Sequence, residues 1–283
     1  MTNNKPEFKH KSIGFYDSGI GGLTIVQSFL NLTDDVNFVY LADTQFLPLG
    51  QKTSLQIRTR MEQVCSYLFQ QCDLVVLVCN TASVNSIRYL QQQWLPQHFA
   101  NKQVLGISKP ILELLELQFS DFSTFNPNST LAILCTQATA QSNFYQHEIS
   151  QIGFKTSTWI TSELATAIEN QDYNQCRSIL QTLKNQQVVI PKYILLACTH
   201  YPIIKDIIQS IFESSVVIDP SQYIAQKLIK YIENHPELSP NFDNQQSFLT
   251  TGNSLDFDNK LTNFFITINS FGKSNNKSTQ IIL

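Results

Sequence analysis

The chain is predicted to be an α/β protein built as two similar α/β domains with mostly parallel sheets, its active site in the cleft between them. Three observations predict this. Short β-rich runs alternate with longer amphipathic stretches along most of the 283 residues, which is the βαβα pattern of a parallel sheet covered on both faces. That alternation occurs in two successive sets. Finally, one strand in each set ends alike, "VVLVCNT" and "ILLACTH" both running from apolar residues into a cysteine with a threonine within two positions.

In chain order, "SIGFYD" reads as the first strand and "LTIVQSFLNL" as a helix beginning near Leu23. "VNFVYLAD" is a strand, about Ser54 to Gln71 a helix, and "LVVLVCN" a strand whose unbroken apolar run suits burial on both faces. The second set repeats the scheme with "QVLGIS", a helix near Ile111 to Phe119, "TLAILCT", a helix from about Thr139 to Gly153, "KTSTWI", helices up to Gln186 and "YILLACTH". "SVVIDPSQYIAQKLIKYIENH" and "SFLTTGN" add a strand, a helix and a short strand, and the Ser/Asn/Lys-rich "FGKSNNKSTQ" reads as a surface tail. The expected division is 11–106 for the first domain, 107–215 for the second, 216–270 for a return to the first and 271–283 for the tail.

Composition narrows the class. A hydrophobic content of 42% is ample for buried cores, and a formal charge of −3 leaves no basic footprint for nucleic acid. The N-terminal stretch has no apolar run of signal-peptide length, and nowhere do about 18 apolar residues follow one another. A cytoplasmic protein with no membrane partner is the expectation. Six cysteines are too sparse for a disulfide scaffold in a chain of this size, so any special cysteine is expected to do chemistry.

Ligands bind beyond the carboxyl ends of the strands in open parallel sheets. "FYDSGIGG" leaves its strand through Asp17 and Ser18 into glycines that permit a tight turn, "VLVCNT" through Cys79, Asn80 and Thr81, and "LLACTH" through Cys198, Thr199 and His200. A lone strand-end cysteine is usually an inert small hydrophobe. Two at equivalent places are different, because halves facing one another would set the thiols on opposite walls. A thiolate on one wall can then remove a proton from a substrate carbon while the thiol opposite delivers another to the reverse face, inverting the centre. With an unperturbed pKa of about 8.5, a thiol needs a neighbour that accepts or shares its proton at neutral pH. Asp17 is the natural candidate beside Cys79. His200 is expected on the side of Cys198, since i and i+2 share a face of a strand.

Duller readings stand beside these. Asp17 can cap its loop, His200 can be structural, and Thr136 and Thr139 can cap the helix that starts there. Zinc at Cys79, Cys198 and His200 lacks an evident fourth ligand. Cys65, Cys72, Cys135 and Cys176 have no comparable context. No pyridoxal lysine motif or dinucleotide fingerprint is present, so no cofactor and no metal are expected.

The stretches "FYDSGIGGLTIV", "YLADTQFLPLG", "LVCNTAS", "LAILCTQATAQSNFY", "LLACTHYP", "VIDPS" and "FLTTGN", in this order from about residue 13 to residue 253, resemble the cofactor-independent glutamate racemases. The resemblance implies an enzyme that interconverts L- and D-glutamate, supplying the D-isomer for peptidoglycan. It implies Cys79 and Cys198 as the acid/base pair, Asp17 assisting the first and His200 the second, and a glutamate near the second site, which Glu169 fits best with Glu163 as its competitor. Substrate contacts would come from Asp17, Ser18, the backbone of Pro48, Leu49 and Gly50, and Asn80, Thr81, Thr136, Thr139, Thr199 and His200. Homodimers occur among such enzymes. Three positions depart from the family pattern: Leu49 stands where a tyrosine is usual, Phe46 near where an arginine is usual, and Lys109 in a segment that usually reads Glu-Pro-Gly. Two other classes therefore remain open. One is a Cys-His hydrolase or amidotransferase-like enzyme with a single essential thiol. The other is an amino-acid-binding regulatory homologue with low turnover.

Overall fold

The computed structural model describes residues 12–33, 36–119, 130–161, 163–238, 240–241, 245–268 and 277–283. Two parallel sheets organise it. The first contains β1 (Ser12–Asp17), β2 (Phe38–Ala42), β3 (Cys72–Leu77) and β4 (Gln103–Gly106), and the second β5 (Thr130–Cys135), β6 (Lys155–Ile160), β7 (Tyr193–Ala197) and β8 (Val216–Ile218). The chain then returns with β9 (Gln246–Thr250) and β10 (Thr279–Gln280), giving the orders β10-β9-β2-β1-β3-β4 and β6-β5-β7-β8. The helices are α1 (Leu23–Leu30), α2 (Ser54–Leu68), α3 (Asn80–Tyr89), α4 (Leu95–His98), α5 (Ser108–Gln118), α6 (Gln137–Gln141), α7 (Phe144–Gln151), α8 (Leu164–Glu169), α9 (Tyr173–Asn185), α10 (Lys205–Ile211), α11 (Ser221–Glu233) and α12 (Ser254–Ile268). None of them is long and apolar enough to cross a membrane among the described residues.

The period-two alternation of the strands explains the layering. Ile13 and Phe15 of β1, Phe38 and Tyr40 of β2, and Leu74 and Val76 of β3 point to one side. There they join Leu131 and Ile133 of β5 and Leu195 of β7 in one apolar cluster that spans both sheets, covered by α1, α5 and α11. The intervening residues, such as Tyr16, Val39, Leu41, Val75 and Leu77, pack outward on α2 and α3. Leu134, Ile194 and Leu196 of the second sheet do the same against α8, α9 and α10. The central strands β1, β2, β3, β5 and β7 are thus buried on both faces, as their apolar runs require, while of the edge strands β6 is mostly half-buried and β10 is exposed.

Four details differ from the sequence expectation. Val216–Ile218, assigned by the sequence to the return to the first domain, form β8 and pair with β7, with Val217 and Ile218 buried on opposite faces of the second sheet. The single helix expected over 139–153 is two helices, broken where Asn143 takes φ 54°, a left-handed conformation that asparagine tolerates. The helix expected from Ile111 starts at Ser108, with Pro110 in its first turn, where the missing N–H costs nothing. The end of the tail is not a free surface segment: Thr279 and Gln280 pair with Leu249 and Thr250, Ile281 N–H donates to Thr250 O, and Ile281 and Leu283 pack on the first-sheet cluster. The apolar "IIL" outweighs the polar composition before it; 271–276 lie outside the described residues.

Candidate active site

Strand register shows how the two halves correspond. Tyr16 pairs with Leu77 in the first sheet and Leu134 with Leu196 in the second. Two residues beyond each partner stand Ser18 and Cys79 in one half, Thr136 and Cys198 in the other. Cys79-Asn80-Thr81 is therefore the counterpart of Cys198-Thr199-His200. Both cysteines, almost fully buried, line one cavity of about 190 Å³, a volume suited to a small metabolite. Ser18, Pro48, Leu49, Gly50, Asn80, Thr81, Thr136, Glu169, Thr199 and His200 line it as well.

The loops that leave the strands complete one another across the cleft. Thr199 Oγ1 donates to Asp17 Oδ1 at 3.1 Å, Ile20 N–H to Glu169 Oε1 at 2.8 Å, and Tyr145 OH to Asn80 Oδ1 at 2.5 Å. Thr81 Oγ1 lies 2.9 Å from Thr136 Oγ1 and 3.2 Å from Thr139 Oγ1. Such close approach explains the glycines of "DSGIGG". Gly19, Gly21 and Gly22 are not in the positive-φ conformation expected of a tight turn. A Cβ on Gly19 would stand 1.9 Å from Glu169 Oε1, and one on Gly21 2.7 Å from His200 Nδ1. Gly22 gives clearance within its own half, where a Cβ would meet Asp17 Cβ and Val78 Cγ2 at 2.7 Å, while Gly19 and Gly21 let one half touch the other. Gly50 repeats the case, where a Cβ would meet Thr136 Cβ at 2.7 Å.

On the first wall the neighbour of Cys79 Sγ is Ser18 Oγ at 3.9 Å. Asp17 is close enough to act by charge, but its hydrogen bonds go elsewhere, to Gly19 N–H at 3.0 Å and to Thr199. Burial pushes the Cys79 thiol up, and the Asp17 carboxylate adds to that. Burial also raises Asp17, against the pull of His200 and of the Gly19 and Gly22 N–H groups. The segment that carries Pro48 to Gly50 is pinned at the start by Asp43, buried at the end of β2, which takes Arg60 Nε at 2.8 Å and Nη2 at 2.6 Å, and Thr251 Oγ1 at 2.8 Å. Phe46 lies beneath two cations, Lys52 at 5.0 Å and Arg60 at 5.2 Å.

The second wall is a chain of charges. Cys198 Sγ lies 3.8 Å from His200 Nδ1, and His200 Nε2 donates to Glu169 Oε1 at 2.7 Å. This proximity is not the i, i+2 relation of a strand. β7 ends at Ala197, and the turn 198–200 folds His200 back beside the sulfur. Burial opposes the imidazolium, but the bonds to Cys198 and Glu169 outweigh it and hold His200 well above the usual histidine range. Burial likewise opposes ionisation of Glu169, yet His200, and then Lys260, hold its carboxyl down at about 2. Glu163 is exposed at the start of α8 and does not line the cavity.

Thr136 caps α6, accepting from Thr139 N–H at 3.3 Å, while Thr139 lies inside the helix and is no cap. Lys260 of α12 was not singled out by the sequence. It lines the cavity, and its Nζ donates to Glu169 Oε2 at 2.8 Å. The available signal is its place on a buried stripe, three residues after Phe257 and four before Phe264. Among the described residues, no group of three or more His, Cys, Asp and Glu side chains is disposed to hold a metal ion.

No family model matches the chain. The glutamate racemase of Dinoroseobacter shibae is 32% identical over 264 residues, 89% of this chain and 95% of that protein. The crystal structure of a glutamate racemase from Bacillus anthracis superposes with a TM-score of 0.80 at 21% identity, covering 97% of this chain and 98% of the other. That of the Francisella tularensis glutamate racemase in complex with D-glutamate gives 0.78 at 23% identity, covering 96% and 97%. The structural likeness carries the two-domain fold and the sequence relation carries the kinship: this chain belongs to the glutamate racemase family.

Proposed function

We propose that this protein racemises glutamate by two-base proton transfer, with Cys79 and Cys198 as the two acid/base groups, and that it supplies D-glutamate for peptidoglycan in the cytoplasm. The observation that supports this most is the pair of buried thiols at corresponding strand ends of one cavity. In one direction, a thiolate at Cys198, stabilised by the His200 imidazolium, takes the α-proton as the C–H electron pair passes onto the α-carbon and its carboxylate. The Cys79 thiol then gives its proton to the opposite face, leaving Cys79 as thiolate. The other enantiomer runs the sequence backwards. Ser18, Asn80, Thr81, Thr136 and Thr199 offer the hydroxyls and amide that hold an amino dicarboxylic acid, while Thr139, which does not line the cavity, supports the hydroxyls of Thr81 and Thr136 from behind. The backbone N–H groups of Leu49 and Gly50 can donate to a carboxylate on which charge builds.

The order Cys198, His200, Glu169 is also that of a hydrolytic triad, a reading this arrangement alone would favour. It leaves the second thiol without a task. The deciding experiment is circular dichroism of L-glutamate and of D-glutamate incubated separately with the protein in deuterium oxide. Both signals are expected to decay to zero, with deuterium at the α-carbon of the inverted product. Persistent signal with release of ammonia from glutamine selects the hydrolase. Tight binding of glutamate with no change in signal selects the regulatory homologue.

A further inference from the structure

Glu169 is clamped from both sides of the cleft. Its Oε1 takes His200 Nε2–H at 2.7 Å and Ile20 N–H at 2.8 Å, and its Oε2 takes Lys260 Nζ at 2.8 Å. Ile20 and Lys260 belong to the half that carries Cys79, since α12 follows β9 of the first sheet. Lys260 shares a face of α12 with the buried Phe257, Leu261 and Phe264, a place where an apolar side chain would serve packing better. Its side chain is 27% exposed against 5% for Glu169, so it reaches from the cavity mouth to a carboxylate withdrawn from water.

The geometry points to Lys260 as a positioning residue for the Cys198 wall, supplied by the opposite half, that holds Glu169 as an anion and thereby keeps the shared proton on His200. The proton of the Glu169–His200 bond has two homes. A second cation on the carboxylate makes it a poorer base and leaves the imidazolium, whose other N–H faces Cys198 Sγ at 3.8 Å. Without Lys260 the proton moves toward Glu169, and one positive charge leaves the neighbourhood. Both changes disfavour a thiolate at Cys198.

This rests on the reading of Cys198 as an acid/base thiol, so the test does not use turnover. Unliganded full-length protein is alkylated with iodoacetamide across roughly pH 6 to 10, and each cysteine is followed by peptide mass spectrometry. Lys260→Met is expected to slow alkylation of Cys198 by roughly threefold to tenfold near neutral pH, the deficit closing at alkaline pH where the thiolate forms unaided. Lys260→Arg should restore the rate, and Cys79 should be unaffected. Should Lys260→Met expose Cys65 and Cys176 and so report unfolding, Lys260→Gln decides in its place, because it keeps a hydrogen-bond donor and loses only the charge. A Cys198 profile that superimposes on wild type overturns the inference, as does equal slowing of Cys79 and Cys198 at every pH. If glutamate keeps its optical activity while Lys260→Met still slows Cys198, the reaction falls and the positioning role stands. If glutamate racemises while Cys198 is insensitive to the substitution, the reaction stands and the positioning role falls.

Discussion

The two walls of the cleft are equivalent in topology and opposite in electrostatics. Beside Cys79 stand a hydroxyl and a buried carboxylate whose pKa burial raises, and among the described residues none of the groups that act on the sulfur is a cation. Beside Cys198 stand an imidazolium, a carboxylate held at about 2 and a lysine. The same strand-end geometry is furnished to favour a protonated thiol at Cys79 and sets a cationic N–H donor beside the sulfur of Cys198. On the proposed two-base reading, acid/base groups that work in alternation need opposite protonation states, and unlike walls are what that reading asks for.

The most severe way to break the comparison is to remove one wall. Cys79→Ala and Cys198→Ala are each expected to lower racemisation in both directions by about three orders of magnitude, roughly 4 kcal/mol of transition-state stabilisation, read by polarimetry on either enantiomer. A well-folded alanine variant that still turned over near the wild-type rate would remove that wall from the mechanism.

A smaller effect sharpens the contrast through stability. The Glu169 pKa is lowered in the folded state, so its contribution is present above the ordinary carboxylate pKa of about 4.3 and is lost as pH falls toward about 2. Glu169→Gln should therefore destabilise by on the order of 1–3 kcal/mol at pH 7, the deficit shrinking below about pH 4. Asp17 has the opposite sign. Its raised pKa means that the ionised form costs stability at neutral pH, a cost relieved as pH falls through the folded value. Asp17→Asn should stabilise by about 1 kcal/mol or less at neutral pH while impairing turnover. Urea midpoints of the three proteins at neutral and acidic pH check both; shifts of the same sign would collapse the distinction between the walls.

The weakest expected effect lies on the cleft rim. Leu49 is buried against the first-sheet cluster and lines the cavity. Leu49→Tyr should alter kcat or KM by about tenfold or less, near 1.4 kcal/mol. A thousandfold gain in steady-state assays would mark the natural protein as a binding homologue.

Sequence alone carried the strands, because runs such as Leu74 to Val78 are apolar on both faces, and it carried the paired cysteines, because their contexts repeat. It favoured Glu169 over Glu163 only by resemblance; the structure puts the former against His200. What it could not carry depends on contacts made across the cleft. Lys260 and Glu169 are 91 residues apart. The glycines of "DSGIGG" signal backbone freedom locally, while the reason for Gly19 and Gly21, clearance for Glu169 and His200, lies in the other half. The turn at 198–200 escaped because a strand pattern gives no notice of the residue at which pairing stops.

The correspondence of the two strand ends carries one more consequence, of symmetry. Two units made of L-amino acids can be superposed only by rotation and translation, whereas enantiomers are related by reflection. No arrangement of two such halves can therefore present identical surroundings to both hands of a substrate. Yet the two hands are equal in free energy in water, so kcat/KM must be the same in either direction for any racemase. The equilibrium imposes that equality whatever the walls are; on the two-base reading, binding and proton-transfer energies differ step by step between Cys79 and Cys198, and only their sums agree.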